Sequence, residues 1–179
     1  MDCHTAAAAS TAAADRNLPA EKICLRCHDG KRAGAIDAKG VSRLATARRE
    51  IRFNHRLHLS FGNVAPLLAA AIDRKSYLAA AAGIRPLLDT KDACAACHRG
   101  LHQTDSASRA NLPQMADCLV CHSQIEPPFS CEKCHTAAAS SLKPASHTPE
   151  YLDLHNRIKL NKKTCTICHG VNFRCMGCH

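Results

Sequence analysis

Cys118-Leu119-Val120-Cys121-His122 is followed, after residues 123–130, by Cys131-Glu132-Lys133-Cys134-His135. Both stretches are copies of the same five-residue motif, in which two residues separate a pair of cysteines and a histidine follows the second cysteine directly. This C-x-x-C-H motif uses twelve of the thirteen cysteines in the 179-residue chain. Its six copies are Cys24/Cys27/His28, Cys94/Cys97/His98, Cys118/Cys121/His122, Cys131/Cys134/His135, Cys165/Cys168/His169 and Cys175/Cys178/His179.

C-x-x-C-H is the attachment signature of c-type haem. The two thiols add to the two vinyl groups of the porphyrin, and the adjacent histidine becomes an axial ligand of the iron. A zinc ribbon does not need a histidine after each cysteine pair, and a disulfide scaffold favours more varied spacings. Histidine makes up 12 of the 179 residues, so six such matches by chance are on the order of one in ten million. The motif therefore predicts covalently bound haem c at six sites.

The N-terminal Met1-Asp2-Cys3-His4 has the ending of a seventh motif, which one cysteine ahead of Met1 would complete. We expect Cys3 to hold a haem and His4 to bind its iron. This predicts that the natural chain begins earlier, which would also explain why no signal peptide is visible. A truncation after His179 is a parallel expectation, because that residue ends both a motif and the chain. The alternative at Cys3 is a surface thiol beside an accidental histidine.

The composition is poor in the side chains that usually fill a core. The chain has no Trp, two Tyr and four Phe, whereas aromatic residues normally dominate core energetics. We therefore expect a mainly α fold with much irregular coil and little or no β, wrapped around a closely packed haem array. Residues 1–93 would carry one full site, the remnant at 3–4, a histidine segment at 51–59 and a helix over 66–88. Residues 94–179 would carry the other five sites.

The formal charge of +9 first suggests an acidic partner, but the propionates must be counted. Each haem adds roughly two negative charges and a ferric centre returns about one positive charge. Six haems would bring the protein to roughly +3 oxidised and −3 reduced. Basic and aromatic residues do not alternate as in nucleic-acid readers, and no apolar run is long enough to span a membrane. We expect neither nucleic-acid binding nor a membrane span.

Residues 51–59 (IRFNHRLHL) are the informative part of the long interval between His28 and Cys94. His55 and His58 are three residues apart and would share one face of a helix, so each would serve a different iron. This F-x-H-x-x-H segment ahead of C-x-x-C-H motifs resembles the class III multihaem c-type cytochromes. The resemblance implies that both histidines are distal ligands of neighbouring haems. A paired-histidine zinc site or two solvent-exposed histidines are the alternatives.

The histidines are too few to ligate every haem twice. Seven follow a motif cysteine and are the expected proximal ligands: His4, His28, His98, His122, His135, His169 and His179. Five remain as distal candidates: His55, His58, His102, His147 and His155. Seven haems would lack two distal histidines, and six haems would lack one. Residues beyond the ends, a neighbouring copy, Met115 or Met176 could fill the gap, or one iron could stay open.

The leading functional hypothesis is an electron carrier, because two axial histidines saturate an iron and leave no position for a substrate. The partners would be redox proteins and, with shared ligands, neighbouring copies of the chain. A multihaem reductase of nitrite, hydroxylamine or a sulfur oxyanion, with one open haem, is the enzyme alternative. A subunit of an extracellular cytochrome filament is a third hypothesis. The resemblance implies a periplasmic or extracellular location, since this type of haem attachment occurs outside the bacterial cytoplasm.

Overall fold

The structure, a computed structural model, describes residues 2–15, 19–35, 50–103, 109–122, 131–154 and 165. The chain divides into a first unit, Met1–Ser60 with Glu132–Ala138, and a second unit, Phe61–Cys131 with Ala139–His179. The first unit contains helices α1 (Glu21–Cys24) and α2 (His55–Leu59). The second contains α3 (Ala65–Asp73), α4 (Ala93–Cys97), α5 (Met115–His122), α6 (Ala139–Leu142) and α7 (Tyr151–Leu154).

Short 3₁₀ segments and coil make up much of the remainder. The 3₁₀ segments are Asp2–Ala9, Arg85–Leu88, Leu101–Gln103, Arg109–Asn111 and Cys131–Lys133. The described residues contain no β-strand, only an isolated antiparallel bridge between Ile51 and His135. The predicted mainly helical fold with much coil and little β is thus confirmed over the described ranges. None of the helices in those ranges is long and apolar enough to cross a bilayer.

In the first unit, α2 packs against the 3₁₀ segment Asp2–Ala9. Asn54 caps α2, because its side-chain oxygen accepts a hydrogen bond from the backbone N–H of Leu57 at 2.9 Å. The N–H of Arg56 donates to the carbonyl of Ser10 at 2.9 Å. The turn after Ser10 is closed by Asp15, whose carboxylate accepts from the Ser10 hydroxyl and from two backbone N–H groups, each at 3.0 Å.

The second unit is organised on α3. Pro66 lies in its first turn, where a missing N–H does no harm, and the side chain of Asn63 accepts from the N–H of Ala65 at 3.0 Å. Leu68 and Ala69 face inward, three and four residues after the buried Ala65. The helix packs against the 3₁₀ segment Arg85–Leu88, α4 and α5.

The helix predicted over 66–88 is shorter in the structure, which ends α3 at Asp73 and forms a separate 3₁₀ turn at Arg85–Leu88. Lys75 adopts a left-handed conformation with φ of 60°. The N–H groups of Ser76 and Tyr77 then return to the carbonyl of Ala71, at 2.9 and 3.1 Å. This reversal resembles a C-terminal helix cap. It turns Tyr77 inward, where its ring is buried and its hydroxyl finds a partner.

The core is small and lies wholly in the second unit, as far as the described residues go. Its nine buried apolar side chains are Ala65, Leu68, Ala69, Ala71, Tyr77, Leu88, Ala96, Ala116 and Leu119. Five of them are alanines, which remove little apolar surface from water. Among the described residues of the first unit, only Ser10 is buried. The described part of the polypeptide therefore supplies little apolar burial of its own to hold the motifs.

Candidate functional site

Two of the C-x-x-C-H motifs adopt the same local fold. In the motif at 94–98, both cysteines lie in α4, and the N–H of His98 donates to the carbonyl of Cys94 at 2.8 Å. In the motif at 24–28, the N–H of His28 donates to the carbonyl of Cys24 at 3.0 Å. Both thiols of each motif thus lie on one turn, with the histidine directly after it. This order is the one that thioether attachment and axial ligation require.

The motifs at 118–122 and 131–135 are placed differently. The first lies entirely in α5, and the second begins with a 3₁₀ turn and ends at the bridge between His135 and Ile51. None of the cysteines whose side chains the structure describes is in a disulfide, and all are exposed or half-buried: Cys24, Cys27, Cys94, Cys97, Cys118, Cys121, Cys131, Cys134 and Cys165. The thiols are therefore accessible to a group that would bond to them.

The two thiols of the motif at 94–98 both have raised pKa values. Burial raises the pKa of the Cys94 thiol, and the nearby charge of Asp92 adds to the effect. Burial likewise raises the pKa of the Cys97 thiol. A catalytic or redox-active cysteine needs a lowered pKa that favours the thiolate. The pKa values of these two thiols are shifted in the opposite direction.

Three of the motif histidines hydrogen-bond through the imidazole to a backbone carbonyl. The Nδ1 atom of His28 lies 2.9 Å from the carbonyl oxygen of Gly34, that of His98 lies 3.2 Å from Asn111, and that of His135 lies 3.3 Å from Glu50. A carbonyl oxygen can only accept, so Nδ1 carries the proton and Nε2 carries the lone pair. Histidines that bind metals through Nε2 characteristically hold Nδ1 in this way.

The segment 51–59 forms one aromatic cluster around Phe53. The Phe53 ring stacks on His58, with centroids 4.2 Å apart and planes at 25°, and meets His55 edge-on at 4.8 Å and 83°. The Nδ1 of His58 lies 2.8 Å from the carbonyl oxygen of Asn54, so this imidazole has the same tautomer as the motif histidines. The Nδ1 of His55 is buried. Phe53 and the helix thus hold both rings in defined orientations.

The structure brings this segment to two motif regions of the first unit. Its beginning pairs with the end of the motif at 131–135: the N–H of Arg52 donates to the carbonyl of Cys134 at 2.6 Å, and the N–H of Thr136 donates to that of Glu50 at 3.2 Å. Its end, α2, packs against Asp2–Ala9, which includes the remnant Cys3-His4. Sequence reasoning missed the first pairing, because backbone acceptors such as Glu50 leave no residue-type signal.

A buried ion pair in the second unit was also missed. Arg99, directly after His98, makes two hydrogen bonds to the carboxylate of Asp117, directly before Cys118, at 2.9 and 2.7 Å. The hydroxyl of Tyr77 donates to the same carboxylate at 2.8 Å. Burial raises the pKa of Tyr77, and the hydrogen bond to Asp117 adds to that shift. Arg and Asp usually lie at the surface, so residue type alone does not predict this burial.

Large apolar side chains are exposed close to the candidate ligands. The six that the structure describes are Leu25, Leu57, Phe61, Leu67, Leu101 and Met115. All but Leu67 lie within three residues of a motif cysteine, a proximal histidine or His58. A flat apolar cofactor beside these residues would cover them. Together with the thiols and the Nδ1 bonds, this exposure means that the residues present fit haem c.

The remaining candidate residues are less fully described. His4 and His122 are exposed, and His147 is half-buried against Tyr151, with ring centroids 4.9 Å apart. For Cys3 and His102 the structure describes the backbone and not the side chain. Five motif residues and two other candidates lie outside the described residues: Cys168, His169, Cys175, Cys178, His179, His155 and Met176. Over the described ranges, no three His, Cys, Asp or Glu side chains converge on one point.

Comparison with protein-family models, with curated proteins and with solved structures found no match for this chain. Its function is therefore argued from its own residues.

Proposed function

We propose that this chain is a multihaem c-type cytochrome that carries electrons between redox partners. When bound, haem c supplies an iron that gains or loses one electron. The cysteine pairs would hold the porphyrins, and the proximal histidines would bind the irons through Nε2. The observation that carries the proposal is the hydrogen bond from Nδ1 to a backbone carbonyl, which recurs at His28, His98 and His135.

These hydrogen bonds would do more than orient a ring. A backbone carbonyl that accepts from Nδ1 makes the opposite nitrogen a better donor to iron and fixes the plane of the imidazole. Because the carbonyls belong to Gly34, Asn111 and Glu50, each proximal ligand is tied to a segment outside its own motif. The polypeptide thereby sets the ligand geometry even where its apolar core is thin.

Distal ligation favours a carrier over an enzyme. His58 has its Nδ1 bonded to the carbonyl of Asn54 and its ring stacked on Phe53, so its Nε2 is suited to bind a second face of an iron. His55 is oriented by the same phenylalanine. An iron held by two histidines has no position left for a substrate. The proposed partners are a redox donor and a redox acceptor, and the proposed location is the periplasm or the cell exterior.

The first experiment is to count covalent haem in the chain produced in a host with haem-attachment machinery. Pyridine haemochrome absorbance per polypeptide, measured after denaturation, should give six haems. Replacing both Cys131 and Cys134 by Ala should lower the count by one. The matched control is Lys133→Ala, which changes the same loop between the same thiols and should leave the count unchanged. Zinc in place of haem would refute the proposal.

Carbon monoxide added to the reduced protein separates the carrier from the enzyme alternative. Six-coordinate irons should leave the visible spectrum unchanged, as the carrier requires. A response from one or two haems would reveal an open site. That result would favour a reductase, and assays with nitrite, hydroxylamine and sulfite would identify its substrate.

A further inference from the structure

The buried contacts of the second unit include one set of charged groups between two motifs. Arg99 follows the last residue of the motif at 94–98, and Asp117 precedes the first residue of the motif at 118–122. Their side chains are 4% and 3% exposed, respectively. Both oxygens of Asp117 accept hydrogen bonds: Oδ1 from Arg99 and Tyr77, and Oδ2 from Arg99 and from the backbone N–H of Gln114 at 2.6 Å. The pair is fully hydrogen-bonded on the carboxylate side.

Stability alone is a weak reason for such a pair. Taking two charges out of water offsets most of their attraction, and well-packed apolar residues often replace a buried ion pair without loss. An apolar pair has no preferred orientation, whereas the guanidinium fork donates two parallel hydrogen bonds to a carboxylate in one planar arrangement. The geometry therefore matters more here than the attraction.

A second chain of hydrogen bonds connects this pair to the proximal ligand. The side-chain Nδ2 of Asn111 donates to the carbonyl of Arg99 at 2.8 Å. The backbone carbonyl of the same Asn111 accepts from Nδ1 of His98 at 3.2 Å. Asn111 is buried, and its bond to the Arg99 carbonyl is buried with it. A continuous path thus runs from the His98 imidazole through Asn111 and Arg99 to Asp117 at the start of the next motif.

We propose that Asn111, Arg99 and Asp117 are positioning residues that fix the imidazole plane of His98 and hold the motifs at 94–98 and 118–122 as one rigid pair. This inference rests on the proposed function, because it assigns the residues to the ligand geometry of bound haem. None of the three touches the iron. They act through the His98 ring and through α5, which begins at Met115 and carries Cys118, Cys121 and His122.

The test is electron paramagnetic resonance of the fully loaded ferric chain. The g values of a low-spin haem depend on the orientation of its axial imidazoles, so a change at His98 should move one signal. We expect Asp117→Asn to shift one low-spin signal and the midpoint potential of one centre. Arg99→Lys keeps the charge but loses the planar fork and should shift the same signal. Asp73→Asn, which removes the exposed Arg85–Asp73 ion pair of the same unit, should leave every signal unchanged.

A double-variant comparison assigns the shifted signal. If Cys94 and Cys97 are both replaced by Ala, the signal that moves in Asp117→Asn should be missing. Adding Asp117→Asn to that variant should then move none of the remaining signals. If the charge-altering variants fail to fold, Tyr77→Phe removes a single bond to Asp117 and should shift the same signal by a smaller amount.

The outcomes separate the two proposals. Unchanged g values and potentials in folded, fully loaded Asp117→Asn and Arg99→Lys, with only a lower melting temperature, would overturn the positioning role and leave an ordinary structural ion pair. So would an equal shift in the Asp73→Asn control. Absence of covalent haem from the unmodified chain would overturn the proposed function itself, whatever the variants show.

Discussion

The two units present the same motif on very different supports. In both, the N–H of the motif histidine closes a turn onto the first cysteine, at 3.0 Å for His28 and 2.8 Å for His98. The second unit holds its copy on a core of nine buried apolar side chains and a buried ion pair. The first holds its copy on helices of four and five residues, with no apolar side chain buried among those the structure describes.

This difference indicates that the local fold of the motif does not depend on a core. The turn is formed by residues within the motif, whereas its persistence depends on what packs around it. Ordering a residue costs roughly 1–2 kcal/mol of backbone entropy, and the first unit has little apolar burial of its own to offset that cost. Under the proposed function, bound haem would supply the missing apolar contact there.

Loss of the cofactor should therefore have the largest effect, and an unequal one. In the chain produced without haem attachment, backbone N–H groups of the first unit, such as those of Arg52 and His58, should exchange with deuterium at least about a hundredfold faster than in the loaded chain. The N–H groups at the end of α3 should lose much less protection. Mass spectrometry of peptides would measure the exchange. An equal loss of protection in both units would contradict the comparison.

A core truncation should produce the next largest effect, confined to the second unit. Leu68→Ala removes a side chain that is 3% exposed and should lower the free energy of unfolding by about 2–4 kcal/mol. The control is Leu67→Ala on the same helix, where the side chain is 54% exposed and the loss should stay within about 0.5 kcal/mol. Denaturant titration measures both, and an equal loss would show that α3 is not oriented as described.

A smaller effect is expected from the aromatic cluster of the first unit. Phe53→Ala removes the ring contacts to His55 and His58 and should destabilise α2 by about 1 kcal/mol. Hydrogen exchange at the N–H groups of Leu57 and His58 reports it, because both belong to capping or helical bonds. Leu67→Ala, at a side chain of α3 that is 54% exposed, should leave those rates unchanged. Faster exchange throughout α3 in Phe53→Ala would refute a local role.

Lowering the pH should produce the smallest difference between the two units, and both units should lose stability in acid. Hydrogen bonds from the backbone of Ala12, from Ser10 and from Thr11 lower the pKa of Asp15, and Arg85 lowers that of Asp73, both from 3.8. A lowered folded pKa means that each carboxylate stabilises the fold above about pH 4 and loses that contribution as the pH falls through its folded value. Asp15→Asn should reduce this acid sensitivity in the first unit, where Asp29 also has a lowered pKa, and Asp73→Asn should reduce it in the second. Circular dichroism against pH would show it, and an unchanged acid transition in Asp15→Asn would rule out that carboxylate as a cause.

The features visible in the sequence were those that residue type and spacing encode. Composition predicts the helical character and the scarcity of β structure. The proline at position 66 predicts a helix start there, one residue after the observed Ala65. The end of that helix was missed because the reversal at Lys75 depends on where Tyr77 finds a buried partner. The imidazole partners were missed because Gly34, Asn111 and Glu50 contribute backbone carbonyls, which every residue type possesses.

The bridge between Ile51 and His135 also constrains the order in which the chain can mature. The two residues are 84 positions apart (135 minus 51), so the part of the second unit that spans residues 61–131 must be synthesised before the first unit can close. A fragment cut after residue 60 would lack residues 134–136, whose backbone bonds to that of residues 50–52, and could not serve as an isolated first unit.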